Sequence, residues 1–278
     1  MDEGNTENYS VLMSVYYKEK PEYLRAAMDS MWNQTVPTND FVLVCDGPLG
    51  QEIEDVISEM ERQHPTDLHI VRLKENSGLG NALNVGLQYC KNELVARMDS
   101  DDISRPERCE KQLELFRLKP EVSICSGIVE EFSASIDKID SRRVPPQEHE
   151  EIVKYAKKRN PFNHPCVMFK KSEVEKAGNY KDLYFLEDYY LWIRMIQKNS
   201  IGYNLQQPLL WMRVESDFYQ RRGGIKYLKN QVLLFQKMRE IGMISTSQCF
   251  DSIIKRSISS IIIPARFKKI IFKQFLRG

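Results

Sequence analysis

With 278 residues, 40 Lys and Arg against 39 Asp and Glu, and a net charge of +1, the chain has no global field for gripping nucleic acid. A hydrophobic fraction of 42% and a charged fraction of 28% are those of a globular protein long enough to bury a sizeable core. No run of about 18 apolar residues is present to span a bilayer, and the polar, acidic first eight residues do not read as a secretory leader. Six cysteines (45, 90, 109, 125, 166 and 249) without a C-x-x-C pair read as reduced, buried thiols of a cytoplasmic protein.

In chain order, residues 9–16 read as a buried strand, and Pro21 opens a helix with Leu24, Ala27, Met28, Met31 and Trp32 at helical spacing. A strand over 41–45 ends at Asp46-Gly47-Pro48, a helix carries Ile53, Val56, Ile57 and Met60, and a strand covers 68–73. Asn76-Ser-Gly-Leu-Gly-Asn81 leads into another helix, and a strand over 94–98 runs into Asp99-Ser-Asp-Asp102. Strand–helix alternation of this kind predicts an α/β fold with a mostly parallel sheet and helices on both faces. Pro106 opens the next helix, to about Leu118. Strands follow at 122–125 and 128–132, separated by Gly127, and the charged stretch 137–150 with Pro145-Pro146 reads as a surface loop. Asn160 to Phe169 is a turn entering a strand, Ser172–Ala177 a short helix closed by Gly178, and 186–196 an apolar helix opened by two acids. A last strand over 208–214 precedes a long helix to Gly242. Past Asp251 there is no acid, while Lys255, Arg256, Arg266, Lys268, Lys269, Lys273 and Arg277 alternate with Ile and Phe. Residues 253–278 fit either a basic amphipathic segment lying on an anionic membrane surface or a terminal helix packed on the domain.

In parallel sheets ligands bind at the carboxyl ends of the strands. Here those ends carry Ser14–Glu19, Asp46–Pro48, Lys74–Asn81 and Asp99–Ser104, where the polar and unusual residues fall. Three carboxylates within four residues repel one another unless a cation sits among them. Oxygen-only donors suit Mg or Mn; the alternative is an acidic turn capping a helix.

Five stretches, in order, are Met-Ser-Val-Tyr-Tyr (13–17), Val-Cys-Asp-Gly (44–47), Asn-Ser-Gly-Leu-Gly-Asn-Ala-Leu-Asn-Val-Gly-Leu (76–87), Ala-Arg-Met-Asp-Ser-Asp-Asp (96–102) and Leu-Glu-Asp-Tyr (186–189). Together they resemble the family 2 inverting glycosyltransferases of GT-A fold, and within them the bacterial enzymes that build capsule, exopolysaccharide or O-antigen repeat units. The resemblance covers about residues 9–215, with 9–105 as the nucleotide-sugar half and 106–215 as the acceptor half. It leaves a polar tail over 1–8 and a helical, basic extension over 216–278. It implies that Ser14, Val15 and Tyr16 line the nucleoside pocket, that Glu19 lies near the ribose, and that Asp46 accepts the imide hydrogen of uracil. Asn76, Gly78 and Asn81 would face the nucleotide with backbone amides at a helix N-terminus. Arg97 would touch the diphosphate or pair with Asp102, and Asp102 would orient its neighbours or cap a helix. Asp101 is implied as the direct metal ligand, with Asp99 on the ribose or the metal.

The same resemblance makes Asp188 the base that deprotonates the acceptor, with Glu187 holding the acceptor or a neighbouring group. His164 would lie near acceptor or diphosphate, and Arg221-Arg222 would close over the diphosphate as a cationic lid. The Gln-x-x-Arg-Trp of processive synthases is absent, since the chain has Gln220-Arg-Arg-Gly-Gly instead. The implied activity is transfer of one sugar from a nucleotide-diphosphate donor, a UDP-sugar, to a saccharide acceptor that is lipid-linked. Its implied setting is cytoplasmic, at the inner face of the cell membrane. Two other readings share parts of the pattern. A sugar-nucleotide nucleotidyltransferase would carry a glycine-rich loop after the first strand, which Ser-Val-Tyr-Tyr-Lys-Glu lacks. A non-catalytic nucleotide-sugar-binding module would keep the pocket without turnover.

Overall fold

A computed structural model describes residues 8–215 and 224–261. The first half is the predicted alternation: β1 (Tyr9–Val15), α1 (Pro21–Trp32), β2 (Asp40–Cys45), α2 (Gln51–Gln63), β3 (Leu68–Arg72), α3 (Leu79–Tyr89) and β4 (Leu94–Asp99). These strands are short, almost wholly apolar runs, the pattern expected of strands covered on both faces. They pair in parallel in the order β3-β2-β1-β4. The second half continues through β5 (Ile103–Ser104), α4 (Arg108–Leu118), β6 (Val122–Phe132), β7 (Ser141–Arg143) and α5 (His149–Ala156). A single 3₁₀ turn (His164–Cys166) then leads into β8 (Met168–Lys170), α6 (Lys171–Lys176), α7 (Glu187–Gln197) and β9 (Ile201–Arg213). The sheet runs on as β4-β8-β6-β9-β5, with β8 antiparallel to both β4 and β6, so it is mixed beyond β4. Helices α8 (Gly224–Glu240) and α9 (Thr246–Ile261) follow.

The apolar residues divide into three packed groups. One lies under α1, α2 and α4, with Leu24, Met28, Ile57 and Phe116; the other face of the sheet packs α3 and α7 through Leu83, Leu87, Leu191 and Trp192. The third joins the outer side of α7 (Tyr189, Ile193) to Leu234, Phe235 and Met238 of α8 and Cys249 of α9. Helix α7 is therefore apolar on nearly all sides, as a helix sandwiched between a sheet and another layer must be. All six cysteines are free and buried.

Several boundaries differ from the predicted ones. β6 runs unbroken through Gly127, where a Cβ would lie 2.5 Å from Leu209 Cδ1, so this glycine serves close strand packing and does not end a strand. β9 begins at Ile201, well before Pro208, because Pro208 sits at a register shift opposite Ile128, and a bulge tolerates its missing N–H. The stretch 137–150 is not all loop. Arg142 and Arg143 pair with Glu130 (2.7 Å) and Glu131 (2.6 Å) and pin β7 to β6, and α5 starts at His149. Pro106 lies two residues before α4, in the turn that leads into it.

Candidate functional site

Parallel register sets the site. Ser14 of β1 lies beside Asp99 of β4, and Val15 beside Cys45 of β2, so three strand ends finish level. The loops that leave them open into a cleft of about 990 Å³. Ser14, Tyr16 and Glu19 line it, as do Asp46, Asn76, Gly78, Asn81, Arg97, Asp99, Asp101, His164, Glu187 and Asp188. Val15 does not. One residue along a strand reverses the face, and Val15 is wholly buried in the core beneath the cleft.

Asp46 is 3% exposed and acts as a clamp. Its Oδ1 accepts from the Ser77 backbone N–H (2.7 Å) and hydroxyl (3.0 Å), and its Oδ2 from Asn76 Nδ2 (3.0 Å) and the Gly78 N–H (3.0 Å). Four donors fill a carboxylate's acceptor capacity, so a contact with a nucleobase imide would require one of these bonds to be given up. The amide of Gly78, expected to face the nucleotide, is turned onto Asp46 instead, beside that of Ser77. Asn81 Nδ2 donates to the Ser77 carbonyl (3.0 Å) and closes the turn into α3. Gly47 and Gly78 hold φ of +90° and +86°, conformations that favour glycine.

The acid cluster is braced from three sides. Arg97, 1% exposed, grips Asp99 with both terminal nitrogens, one at 2.7 Å, so its partner is Asp99 and not Asp102. Asp102, 2% exposed, accepts the Arg213 backbone N–H at 2.8 Å. It ties β9 to the cluster and caps no helix, since α4 begins at Arg108. Arg213 also reaches the Asp101 carbonyl (3.1 Å) and lies 3.9 Å over the Tyr23 ring. Glu19, expected at the ribose, receives the Ser100 hydroxyl and sits against the acids; its burial raises its pKa.

Oxygens of Asp99, Asp101 and Asp102 come within 4.8 Å of one another. Burial, then the charges of Asp99 and Glu19, lift the Asp101 pKa from 3.8 to about 7. Burial, then Asp101 and Asp99, push Asp102 well up too. Three carboxylates this close could hold a hard divalent cation, and their all-oxygen donor set fits Mg or Mn.

Glu187 and Asp188 form the first turn of α7, where the helix dipole favours negative charge. Asp188 Oδ2 accepts from Asn160 Nδ2 at 2.7 Å and Oδ1 from the Tyr189 N–H at 2.7 Å. Glu187 carries a pKa raised to about 7 by burial and by Asp188, and its Oε2 is buried with no partner among the described residues. His164 Nε2 lies 3.0 Å from the Tyr180 hydroxyl. Burial, aided by Arg97, holds its pKa far below the ordinary value, so the imidazole is neutral. Arg221 and Arg222 lie outside the described residues, as do 262–278 of the basic segment. No described helix is long and apolar enough to cross a membrane.

Sequence reasoning missed Asn160, Tyr180 and Arg213. Each acts on a partner 16 to 111 positions away. No local spacing signals such a partner.

The family model described as glycosyl transferase family 2 matches residues 10–177. A glycosyltransferase of Haemophilus influenzae, described as uncharacterized, is 38% identical over 97% of this chain and 99% of its own. The UDP-Gal:alpha-D-GlcNAc-diphosphoundecaprenol beta-1,3-galactosyltransferase of Escherichia coli is 37% identical over 98% of each chain. The amylovoran biosynthesis glycosyltransferase of Erwinia amylovora is 40% identical over 82% of this chain and 84% of its own. Among solved structures, S. aureus TarS 1-349 with UDP-GlcNAc superposes with a TM-score of 0.68 at 16% identity, over 91% of this chain and 73% of that one. The mannosyltransferase PcManGT of Pyrobaculum calidifontis, with GDP-Man and Mn2+, gives 0.66 at 15%, over 90% and 69%. At such identities the structures speak for the GT-A fold alone. A family match over more than half the chain, with relatives aligned end to end, sets aside the nucleotidyltransferase reading, and the chain belongs to glycosyl transferase family 2 as a glycosyltransferase.

Proposed function

We propose that this glycosyltransferase moves one sugar, with inversion, from a UDP-sugar to a hydroxyl of a lipid-diphosphate-linked saccharide during surface-polysaccharide assembly. The observation that carries the reading is one cleft with two carboxylate centres from different elements. Asp99 ends β4 and Asp101 follows it in the turn, while Asp188 lies in the first turn of α7, hydrogen-bonded by Asn160. The Escherichia coli and Erwinia amylovora relatives, by their names, support the donor, the lipid-linked acceptor and the polysaccharide setting. The reaction then takes place on the cytoplasmic side, at the membrane that carries the acceptor.

In this scheme Asp101, with Asp99, would hold a divalent metal. The metal would supply positive charge to the departing diphosphate. Arg97 keeps the Asp99 carboxylate in one orientation, and Arg213 fixes the loop that carries Asp101 and Asp102. Ser14, Tyr16 and the Asp46-clamped 76–78 loop form the nucleoside side of the cleft. Asp188 takes the proton from the acceptor hydroxyl as that oxygen attacks the anomeric carbon opposite the leaving group. Asn160 keeps one Asp188 oxygen oriented for this. Glu187, its pKa raised to about 7, offers a hydrogen bond to the acceptor, and neutral His164, held by Tyr180, adds an uncharged donor or acceptor beside Arg97.

Asp188→Asn should retain UDP binding in the presence of manganese, measured by calorimetry, while transfer falls by roughly 10²–10⁴-fold, the usual worth of a general base. Unchanged turnover in that variant would sink the assignment.

A further inference from the structure

The family match ends at residue 177, yet the cleft continues onto the C-terminal helices. Tyr155 and Arg159, at and beyond α5, Tyr227 and Gln231 of α8, and Arg256 of α9 form this further wall. Three hydrogen bonds knit it to Asp188. Tyr189 Oη donates to the Ala156 carbonyl (2.7 Å), Arg256 Nη2 to the Lys158 carbonyl (2.8 Å), and Asn160 Nδ2 to Asp188 Oδ2 (2.7 Å). Segment 156–160 therefore spans from α9 to the proposed base.

Arg159 and Arg256 both line the cleft, and among the described residues neither forms an ion pair with a carboxylate. A guanidinium in a partly dehydrated cleft binds best to paired anionic oxygens such as those of phosphate. Gln231 is 5% exposed, and its Oε1 has no donor among the described residues. Buried polar atoms are nearly always partnered, so this oxygen is placed to receive a hydroxyl from a ligand. Tyr155 and Tyr227 add ring surfaces with polar tips, suited to a sugar.

We propose that this wall is the acceptor subsite and that it selects an acceptor bearing phosphate or diphosphate, held by Arg159 and Arg256. The inference rests on Asp188 as the base that faces the acceptor. It gives α8 and α9 a share in substrate choice. The anion bound here is separate from the donor diphosphate, which belongs to the β4 acids.

The test uses the full chain, a UDP-sugar and two acceptors that differ in one feature: N-acetylglucosamine α-diphosphate with a short phenylalkyl tail, and the neutral phenylalkyl glycoside. The wild-type protein should prefer the diphosphate acceptor. Arg159→Gln and Arg256→Gln should each raise the acceptor KM for the diphosphate by about 10–100-fold with the donor KM unchanged, so that the preference disappears. Arg256→Lys should restore part of it. Arg159 donates no side-chain hydrogen bond within the described fold, so its variant reads binding even if Arg256→Gln disturbs segment 156–160. Inhibition by inorganic phosphate, competitive with the acceptor, would assign the grip to phosphate oxygens alone. A preference that inorganic phosphate does not touch would assign it to a phosphate presented on its tail. Equal losses with charged and neutral acceptors, or no wild-type preference, would overturn the proposal. Asp188→Asn separates the two readings: if it abolishes transfer to both acceptors while the arginine variants keep the wild-type preference, the base stands and this subsite falls. If Asp188→Asn turns over normally, the base itself is wrong.

Discussion

Glu187→Gln should yield a protein that is more stable at alkaline pH and less active. Burial, reinforced by Asp188, lifts the Glu187 pKa from 4.5 to about 7. A carboxyl whose folded pKa exceeds its unfolded value binds its proton more tightly when folded. Its contribution is complete below about pH 4.5 and is lost as the pH rises through about 7. The displacement from 4.5 to about 7 corresponds to about 3 kcal/mol, felt in full only above about pH 8. Glutamine keeps the shape and removes the charge, but its amide brings donors where Oε2 already lacks a partner, which costs about 1 kcal/mol. The net gain is about 2 kcal/mol at about pH 8.5, or about 4–8 °C in Tm for a chain of this size. At about pH 4.5 the gain should vanish or change sign, because the wild-type carboxyl is then neutral too. Urea unfolding of both proteins at the two pH values, without metal or nucleotide, measures this directly. A stability difference that does not change with pH, or one that favours the wild type as pH rises, would refute the reasoning.

Two further outcomes follow from the donor side of the cleft. Asp101→Asn removes a charged ligand and should weaken manganese binding, measured by calorimetry with UDP present, by about 3 kcal/mol, or about a hundredfold. Loss of transfer on chelation and its return with manganese should accompany this in the wild type, and metal affinity equal to wild type in the variant would remove Asp101 as a ligand. Gly47→Ala forces a side chain into φ +90° and places its Cβ 2.7 Å from the Asn76 backbone nitrogen. It should cost about 2 kcal/mol or more and lower Tm by about 4–8 °C. It should also weaken UDP binding, because Asn76 belongs to the loop clamped by Asp46; thermal melts with and without UDP check both effects.

Much of this protein is legible locally. Apolar runs bounded by turns dictate β1 to β4 and the helices between them, because strands covered on both faces must be continuous hydrophobic stretches. The polar residues that interrupt those runs then fall at the carboxyl ends by chain direction alone, and this placed Asp46, Asn76, Asp99 and Asp101 in one cleft. Val15 was misjudged because side-chain direction alternates with each residue, and only the register against β2 and β4 says which of Ser14 and Val15 faces the cleft. The second half was harder to read. β9 hides behind Asn204, Gln206 and Pro208; the polarity of Asn204 is answered by Ser126 and the Pro146 and Pro161 carbonyls, and that of Gln206 by the Pro145 carbonyl.

What the tertiary structure decided is the division of labour among the carboxylates. The sequence determined that Asp99-Ser-Asp-Asp102 would end a buried strand in mutual repulsion. It did not determine that Arg97 would take Asp99, that the Arg213 backbone N–H would reach Asp102, or that burial would raise the pKa of both Asp101 and Asp102. The Asp102 contact depends on β9 returning alongside the cluster more than 100 residues later. In the same way Glu187-Asp188 is written locally as a helix start, while Asn160 and the wall built by α8 and α9 come from contacts between distant segments. A charge is a property of a residue, but its ionisation, orientation and partner are properties of everything packed against it.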